Sequence, residues 1–85
     1  MDDIILSEHA KVQMERRGVT LDDVRSVLNA PEQIVFGYSN RKVYQSLISD
    51  ANDIRNLLRI VVEEQQGISR VVTLYLTTKV SKYWE

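Results

Sequence analysis

The single histidine of this chain, His9, has the side chain best suited to transferring a proton near neutral pH. It lies in the stretch SEHAKVQMERRG, which also contains Arg17. Later in the chain, Arg59 interrupts the aliphatic run LLRIVV, and Thr73 and Tyr75 stand in VVTLYL. Guanidinium groups bind phosphate oxygens, and hydroxyl groups form hydrogen bonds beside them. Together these residue types suit the binding or the cleavage of a phosphodiester.

Three of these residues also have an ordinary structural interpretation. His9 can be a hydrogen-bonded residue at the boundary of a helix, and Arg17 can bind the last carbonyl groups of that helix. Arg59 can lay its aliphatic stem over an open sheet with its charged end in water. The sequence leaves both interpretations open for each residue, so the positions of the three side chains decide between them.

Two helices are expected in the first third of the chain, and each has a recognisable start. Ser7 is a typical N-cap for a helix over residues 8–17, and Gly18 supplies the left-handed residue that ends it. Thr20 and Asp23 form the capping-box pattern of a second helix.

The rest of the chain is rich in β-branched residues with a period of two, which predicts strands. The stretches that fit are residues 32–38, 41–49, 56–64 and 69–78. The sequence QQG between the last two predicts a tight hairpin turn. We therefore expect one α+β domain over residues 1–85, with two N-terminal helices packed on a four-stranded, mainly antiparallel sheet in the order ααββββ.

Alternation assigns the side chains of the last two strands to the two faces of this sheet. The face expected to meet the helices carries Leu58, Ile60, Val62, Val72, Leu74 and Leu76. The opposite face carries Arg59, Val71, Thr73, Tyr75 and Thr77. In the first helix, projection places Arg17 on the inward stripe and His9 at its edge. A joint catalytic site requires that His9, Arg17 and Arg59 converge in one pocket.

The composition excludes several classes of protein. Of the 85 residues, 44% are hydrophobic and 27% are charged, as in an ordinary globular domain. With no cysteine and one histidine, neither disulfides nor a metal site of those ligands is expected. No apolar run approaches the ~18 residues of a membrane span, and the acidic N-terminus does not resemble a signal peptide, which favours a cytoplasmic protein. The net charge of −1 argues against coating nucleic acid by bulk charge.

Several short sequence motifs follow one another along almost the whole chain. Between Leu6 and about Trp84 the chain shows SEHA at a helix start, then MERRGV, TLDDVRSVL, RKVY, LLRIVV and VVTLY. This order resembles a family of small, largely uncharacterised bacterial and archaeal domains. That family is grouped with the RelE/ParE/BrnT-like toxins of toxin–antitoxin systems, and more broadly with barnase-like and EndoU-like ribonuclease folds.

The resemblance implies a RelE-like fold, cleavage of RNA without a metal or cofactor, and a cognate antitoxin protein as partner. The catalytic positions that it implies are His9, Arg17, Arg59 and Tyr75. The substrate-binding positions that it implies are Arg41, Tyr44, Thr73, Lys82 and Tyr83. Toxins of this type are usually strongly basic, and the net charge of −1 departs from that pattern.

Other functions stay open beside the toxin. One is a non-catalytic protein-interaction domain on the same fold, to which an antitoxin segment docks on the helices or adds a strand at a sheet edge. Others are an enzyme with another substrate and an inhibitor of DNA topology, as in the ParE branch. Trp84 either folds back over the edge of the core or offers a surface for base stacking. The sequence does not determine the oligomeric state.

Overall fold

Three helices and five strands make up the part of the chain described by the computed structural model, which is residues 4–37, 39–49 and 52–85. The helices are α1 (Glu8–Arg17), α2 (Leu21–Asn29) and α3 (Val80–Tyr83). The strands are β1 (Ile4–Leu6), β2 (Gln33–Phe36), β3 (Arg41–Ser49), β4 (Arg55–Gln65) and β5 (Ile68–Thr77). The α+β class is confirmed, and the two predicted helices and four predicted strands lie close to their expected positions. Tyr38, at the end of the first predicted strand, lies outside the described residues.

Local side-chain signals determine where α1 and α2 begin. The hydroxyl oxygen of Ser7 accepts a hydrogen bond from the N–H of Ala10 at 3.0 Å, which satisfies one of the free donors in the first turn. Gly18 ends α1 with φ at +68°, a conformation that strains other residues. At α2, the Thr20 hydroxyl accepts from the N–H of Asp23 at 3.1 Å, and the Asp23 carboxylate accepts from the N–H of Thr20 at 2.9 Å. The predicted caps are confirmed.

The sheet has the strand order β1–β5–β4–β3–β2. The pairs β2–β3, β3–β4 and β4–β5 are antiparallel, as predicted. Strand β1, however, adds a fifth, parallel strand at the edge, with Ile4 opposite Ser69 and Leu6 opposite Val71. The four-stranded prediction is therefore wrong in its strand number. β1 was not predicted because its three residues are too few to show an alternation of polar and apolar side chains, and because the strand it pairs with lies more than 60 residues later in the chain.

A β-bulge in β5 changes which of its side chains face the helices. Val61 lies opposite Thr73, but the next residue of β4, Val62, lies opposite Val71, so Val72 is the extra residue. Val71 is consequently fully buried on the helix side, whereas Val72 is half-buried. The predicted face is wrong for Val71, because a bulge reverses the alternation on its N-terminal side.

The hydrophobic core lies between one face of the sheet and the first two helices. Helix α1 packs against β5, and α2 packs against β3 and β4. The buried side chains of this core are Ala10, Val19, Val24, Val27, Leu28, Tyr44, Leu58, Ile60, Val62, Val71 and Leu74. The expected packing of both helices on the aliphatic face is confirmed. In the described part of the chain, no helix has the length and apolar character needed to cross a membrane.

Candidate functional site on the open face of the sheet

Four polar residues form a row across the open face of the sheet, which is the face that α1 and α2 leave uncovered. Gln33 of β2 lies opposite Gln45 of β3, Gln45 lies opposite Arg59 of β4, and Arg59 lies opposite Tyr75 of β5. Residues directly opposite on neighbouring strands have Cβ atoms about 4.5–5.5 Å apart. The strand register therefore brings these four side chains, called here the Arg59 row, within reach of one another.

Arg59 occupies the centre of the row and is 9% exposed. Its Nε donates a hydrogen bond to Oε1 of Gln45 at 2.8 Å, and its Nη1 donates to the hydroxyl oxygen of Tyr75. The guanidinium carbon lies 4.2 Å from the centre of the Tyr83 ring and 5.5 Å from that of the Tyr75 ring. Two acceptors and two aromatic rings therefore offset the loss of hydration of this cation.

The C-terminal residues cover one side of the Arg59 row. The carbonyl of Tyr83 accepts a hydrogen bond from Nε2 of Gln45 at 3.2 Å. The side-chain amide of Gln33 donates to the carbonyl of Glu85 at 3.0 Å and accepts from its N–H at 3.1 Å. The Tyr75 and Tyr83 rings meet edge to face at 6.0 Å. Tyr75 and Gln33 are the half-buried members of the row, whereas Gln45 and Arg59 are buried.

Several predicted site residues lie on this open face. Arg59, Tyr75 and Tyr83 are in contact, and Thr73 precedes Tyr75 by two residues on the same face of β5. Lys82 places its Nζ 5.3 Å from the centre of the Tyr83 ring. The structure therefore brings together the predicted residues of β4, β5 and the C-terminus.

Arg41 and Tyr44 do not join the row. The Nε of Arg41 lies 3.9 Å from a carboxylate oxygen of Glu63, which is its cross-strand partner. Tyr44 belongs to the core on the helix side, and its hydroxyl donates to Glu64 at 2.5 Å. Burial, this hydrogen bond and the negative charge of Glu64 raise the pKa of Tyr44 to about 12. The two residues predicted to bind substrate from β3 thus have intramolecular partners.

His9 and Arg17 lie on the other side of the sheet from the Arg59 row. Both are exposed residues of α1, so the expected inward position of Arg17 is wrong, and His9 at the edge of that stripe does not enter the core. Ile60 points into the core beneath the helices, and Arg59, the preceding residue of β4, points to the open face. The predicted convergence of His9, Arg17 and Arg59 is therefore wrong, since it requires side chains on opposite faces of one sheet to meet.

The sequence reasoning did not identify Gln33 and Gln45. Gln45 is 0% exposed although it is polar. The available signal was its position between Val43 and Leu47, which precede and follow it by two residues on the same face of β3. Tyr83, rather than Trp84, packs on the sheet; Trp84 remains 37% exposed. Among the residues described, no group of three or more carboxylate or imidazole side chains is placed to hold a metal ion.

Residues 6–76 match the model of a protein family described as a domain of unknown function, DUF4258. The chain belongs to this family. The DUF4258 match includes every member of the Arg59 row and ends before the residues that cover it. The comparisons with curated proteins and with solved structures found no match.

Proposed function

We propose that this protein is a toxin-like member of a toxin–antitoxin pair that binds single-stranded RNA on the open face of its sheet and cleaves it without a metal ion. The observation that carries the proposal is the hydrogen bond from Arg59 to the Tyr75 hydroxyl, which places a buried cation behind a phenol on the face that α1 and α2 leave free. The resemblance of the motif order to RelE-like toxins supports the same function.

The surroundings of Tyr75 suit an RNA strand. Aromatic rings stack on unpaired bases, and Tyr75 and Tyr83 present two rings in edge-to-face contact. Lys82 adds a positive charge beside the Tyr83 ring. Thr73, two residues before Tyr75 on the same face of β5, adds a hydroxyl group. Bases would stack on the tyrosines, and the phosphate between them would lie near the Tyr75 hydroxyl.

The proposed reaction is an in-line transesterification. The ribose 2′-oxygen attacks the adjacent phosphorus, the bond from phosphorus to the 5′-oxygen breaks, and a 2′,3′-cyclic phosphate forms. Tyr75 donates its hydroxyl proton to the leaving 5′-oxygen, and a water molecule takes the proton of the 2′-hydroxyl. Arg59 stabilises the resulting phenolate because its Nη1 already donates to that oxygen. Tyr75 then regains a proton from solvent, and His9 takes no part.

A cleavage assay with fluorescently labelled single-stranded RNA in the presence of EDTA tests the proposal. Tyr75→Phe removes the proton donor and is expected to lower the cleavage rate by about 10²-fold or more, with RNA affinity nearly unchanged. Tyr44→Phe is the matched control, because it removes a hydroxyl from the same residue type on the other face. Wild-type cleavage by Tyr75→Phe, or loss of cleavage in His9→Ala, would refute this assignment.

Growth of the host cell supplies a second test. Induction of the wild-type protein should arrest growth, and Tyr75→Phe should relieve the arrest at equal protein level. Arrest that persists in Tyr75→Phe would separate toxicity from the proposed chemistry.

A non-catalytic protein-interaction domain is the second candidate, and the edge strand β2 favours it. β2 ends the sheet, and its Ile34 and Phe36 side chains are exposed, Phe36 to 77%. An extended segment of a partner such as an antitoxin can pair with such an edge. Copurification with the product of a neighbouring gene, lost in Phe36→Lys and retained in Tyr75→Phe, without any RNA cleavage, would establish this function instead.

A further inference from the structure

A cleft of about 510 Å³ lies where β5 runs into α3, at the C-terminal end of α1. The polar residues that line it are Arg16, Arg17, Asn56, Thr77, Thr78 and Lys79. Neither Arg59 nor Tyr75 lines it, so it is a different site from the one proposed above to act on RNA. Its volume falls within the range of about 300–1,000 Å³ that is usual for small-molecule sites.

The charged residues that the structure describes in this cleft all have one sign. Arg16, Arg17 and Lys79 line it, and none of the described acidic residues does. None of the three forms an ion pair within the described ranges of the chain, whereas Lys42 pairs with Glu64 at 3.6 Å. Three cations in one concave surface repel one another, and an anion bound between them removes that repulsion.

The negative end of the α1 dipole accounts for only part of this arrangement. Arg16 and Arg17 lie in the last turn of α1, where basic side chains are favourable without any ligand. Lys79 is the N-cap residue of α3, and the N-terminal end of a helix does not favour a positive charge, so no helix dipole explains its position. Asp23 lines the neighbouring pocket with Arg17, but its carboxylate accepts the N–H of Thr20 in the capping box.

The cleft also contains neutral donors. The Thr77 hydroxyl oxygen accepts the N–H of Lys79 at 3.0 Å, which orients the hydroxyl and leaves its proton available. Thr78 is exposed beside it. Cations together with hydroxyl donors match the charge and the several oxygen acceptors of a phosphate group.

We propose that this cleft binds the phosphate of a nucleoside 5′-monophosphate, with Arg17 and Lys79 holding the phosphate oxygens and Thr77 donating to one of them. A terminal phosphate is preferred to a bridging one because it carries more negative charge for the three cations. The nucleoside fills the remaining volume of the cleft. The ligand is either a free nucleotide or the 5′-phosphorylated end of an RNA.

Titrations of the ¹⁵N-labelled full chain test this proposal. Adenosine 5′-monophosphate should shift the amide resonances of Thr77, Thr78 and Lys79, inorganic phosphate should bind about tenfold more weakly, and adenosine should cause no shift. A short RNA with a 5′-phosphate is then compared with the same RNA ending in a 5′-hydroxyl. Tighter binding of the phosphorylated RNA than of the mononucleotide identifies an RNA end as the ligand, and equal binding identifies a free nucleotide.

Variants assign the effect to the cleft. Arg17→Gln and Lys79→Ala should each weaken binding of adenosine 5′-monophosphate by about tenfold or more, because each loses a charge-assisted hydrogen bond. Arg25→Gln is the matched control, since Arg25 is an exposed arginine of α2 that does not line the cleft. Tyr75→Phe should bind the nucleotide normally, which separates this site from the RNA-cleaving one.

Three results would overturn the proposal. They are equal binding of adenosine and its monophosphate, wild-type affinity in both cleft variants, and no shift with any phosphate at millimolar concentration. Equal affinity for inorganic phosphate and the mononucleotide would refute the nucleoside part. Thermal melting followed by circular dichroism checks that each variant is folded at the temperature of the titration, so that a loss of binding does not reflect unfolding.

Discussion

Replacing Arg59 by leucine tests whether the Arg59 row holds the open face together. The substitution removes the donor to Gln45, the donor to Tyr75 and the cation stacked on Tyr83. Because Gln45 is 0% exposed, its Oε1 is left buried without this donor, at a cost of about 1–3 kcal/mol. Loss of the stacked cation adds about 0.5–2 kcal/mol. We expect Arg59→Leu to lower the free energy of unfolding by about 1.5–5 kcal/mol, the sum of these two contributions.

The double variant makes the test specific to the contact between Arg59 and Gln45. Gln45→Leu alone leaves the Nε–H of Arg59 without its acceptor, whereas Arg59→Leu with Gln45→Leu removes both partners. Replacing both partners of a buried hydrogen bond by apolar groups costs less than the two separate losses. The double variant should therefore be more stable than additivity predicts by about 1 kcal/mol or more.

Urea unfolding followed by far-UV circular dichroism measures these free energies, with the slope checked for each variant. Arg25→Leu serves as the control, because substitution of an exposed arginine away from such contacts changes stability by no more than about 0.5 kcal/mol. Additive effects would show that the contact between Arg59 and Gln45 contributes no coupling energy. An Arg59→Leu protein within about 0.5 kcal/mol of wild type would show that the row contributes no specific stability.

Two further predictions concern the helix side of the sheet. The pKa of Tyr44 is raised to about 12, above the value near 10 of an unfolded chain, so between pH 10 and 12 the folded protein keeps a proton that the unfolded chain loses. The free energy of unfolding should therefore fall by about 2–3 kcal/mol as the pH rises over that range. Urea unfolding at each pH measures this fall, which should be smaller in Tyr44→Phe. An identical pH dependence in Tyr44→Phe would contradict this. Ser7→Ala removes both the hydrogen bond accepted from Ala10 and the hydrogen bond donated to the Val72 carbonyl at 2.7 Å. It should lower the free energy of unfolding by about 1–2 kcal/mol, more than Thr20→Ala, which removes one exposed cap. Thermal melts of the wild type and the two variants measure the difference. Equal melting temperatures for the two cap variants would rule out the second bond as a source of stability.

The contact between Arg59 and Tyr75 shows how far sequence reasoning reaches into this site. Alternation predicted that the two residues share a face, and they do. It did not predict that they lie opposite each other, because a regular ladder continued from the pair Gln65–Ile68 places Leu74 opposite Arg59. The extra residue of the bulge shifts the register by one and puts Tyr75 there instead. The candidate site thus depends on an irregularity that the sequence pattern did not reveal.

The contacts of Gln45 and Tyr83 could not be predicted from the sequence pattern either. The β-branched, alternating pattern of β3 predicted a strand. The role of the buried Gln45 became evident only from its hydrogen-bond partners on the two neighbouring strands, Gln33 and Arg59. Tyr83 was predicted to bind substrate, and the structure places it against the guanidinium of Arg59. A four-residue helix carries too little periodicity to indicate where it packs.

The sequence by itself determined the ends of α1 and α2 and the positions of β2 to β5, since caps, turns and alternation depend on residues only a few positions apart. Only the tertiary structure decided that β1 pairs in parallel with β5, that Tyr83 covers Arg59, and that His9 lies across the sheet from both. These arrangements join residues distant in the chain. They depend on which apolar surfaces the whole fold can bury together, and no local pattern encodes that choice.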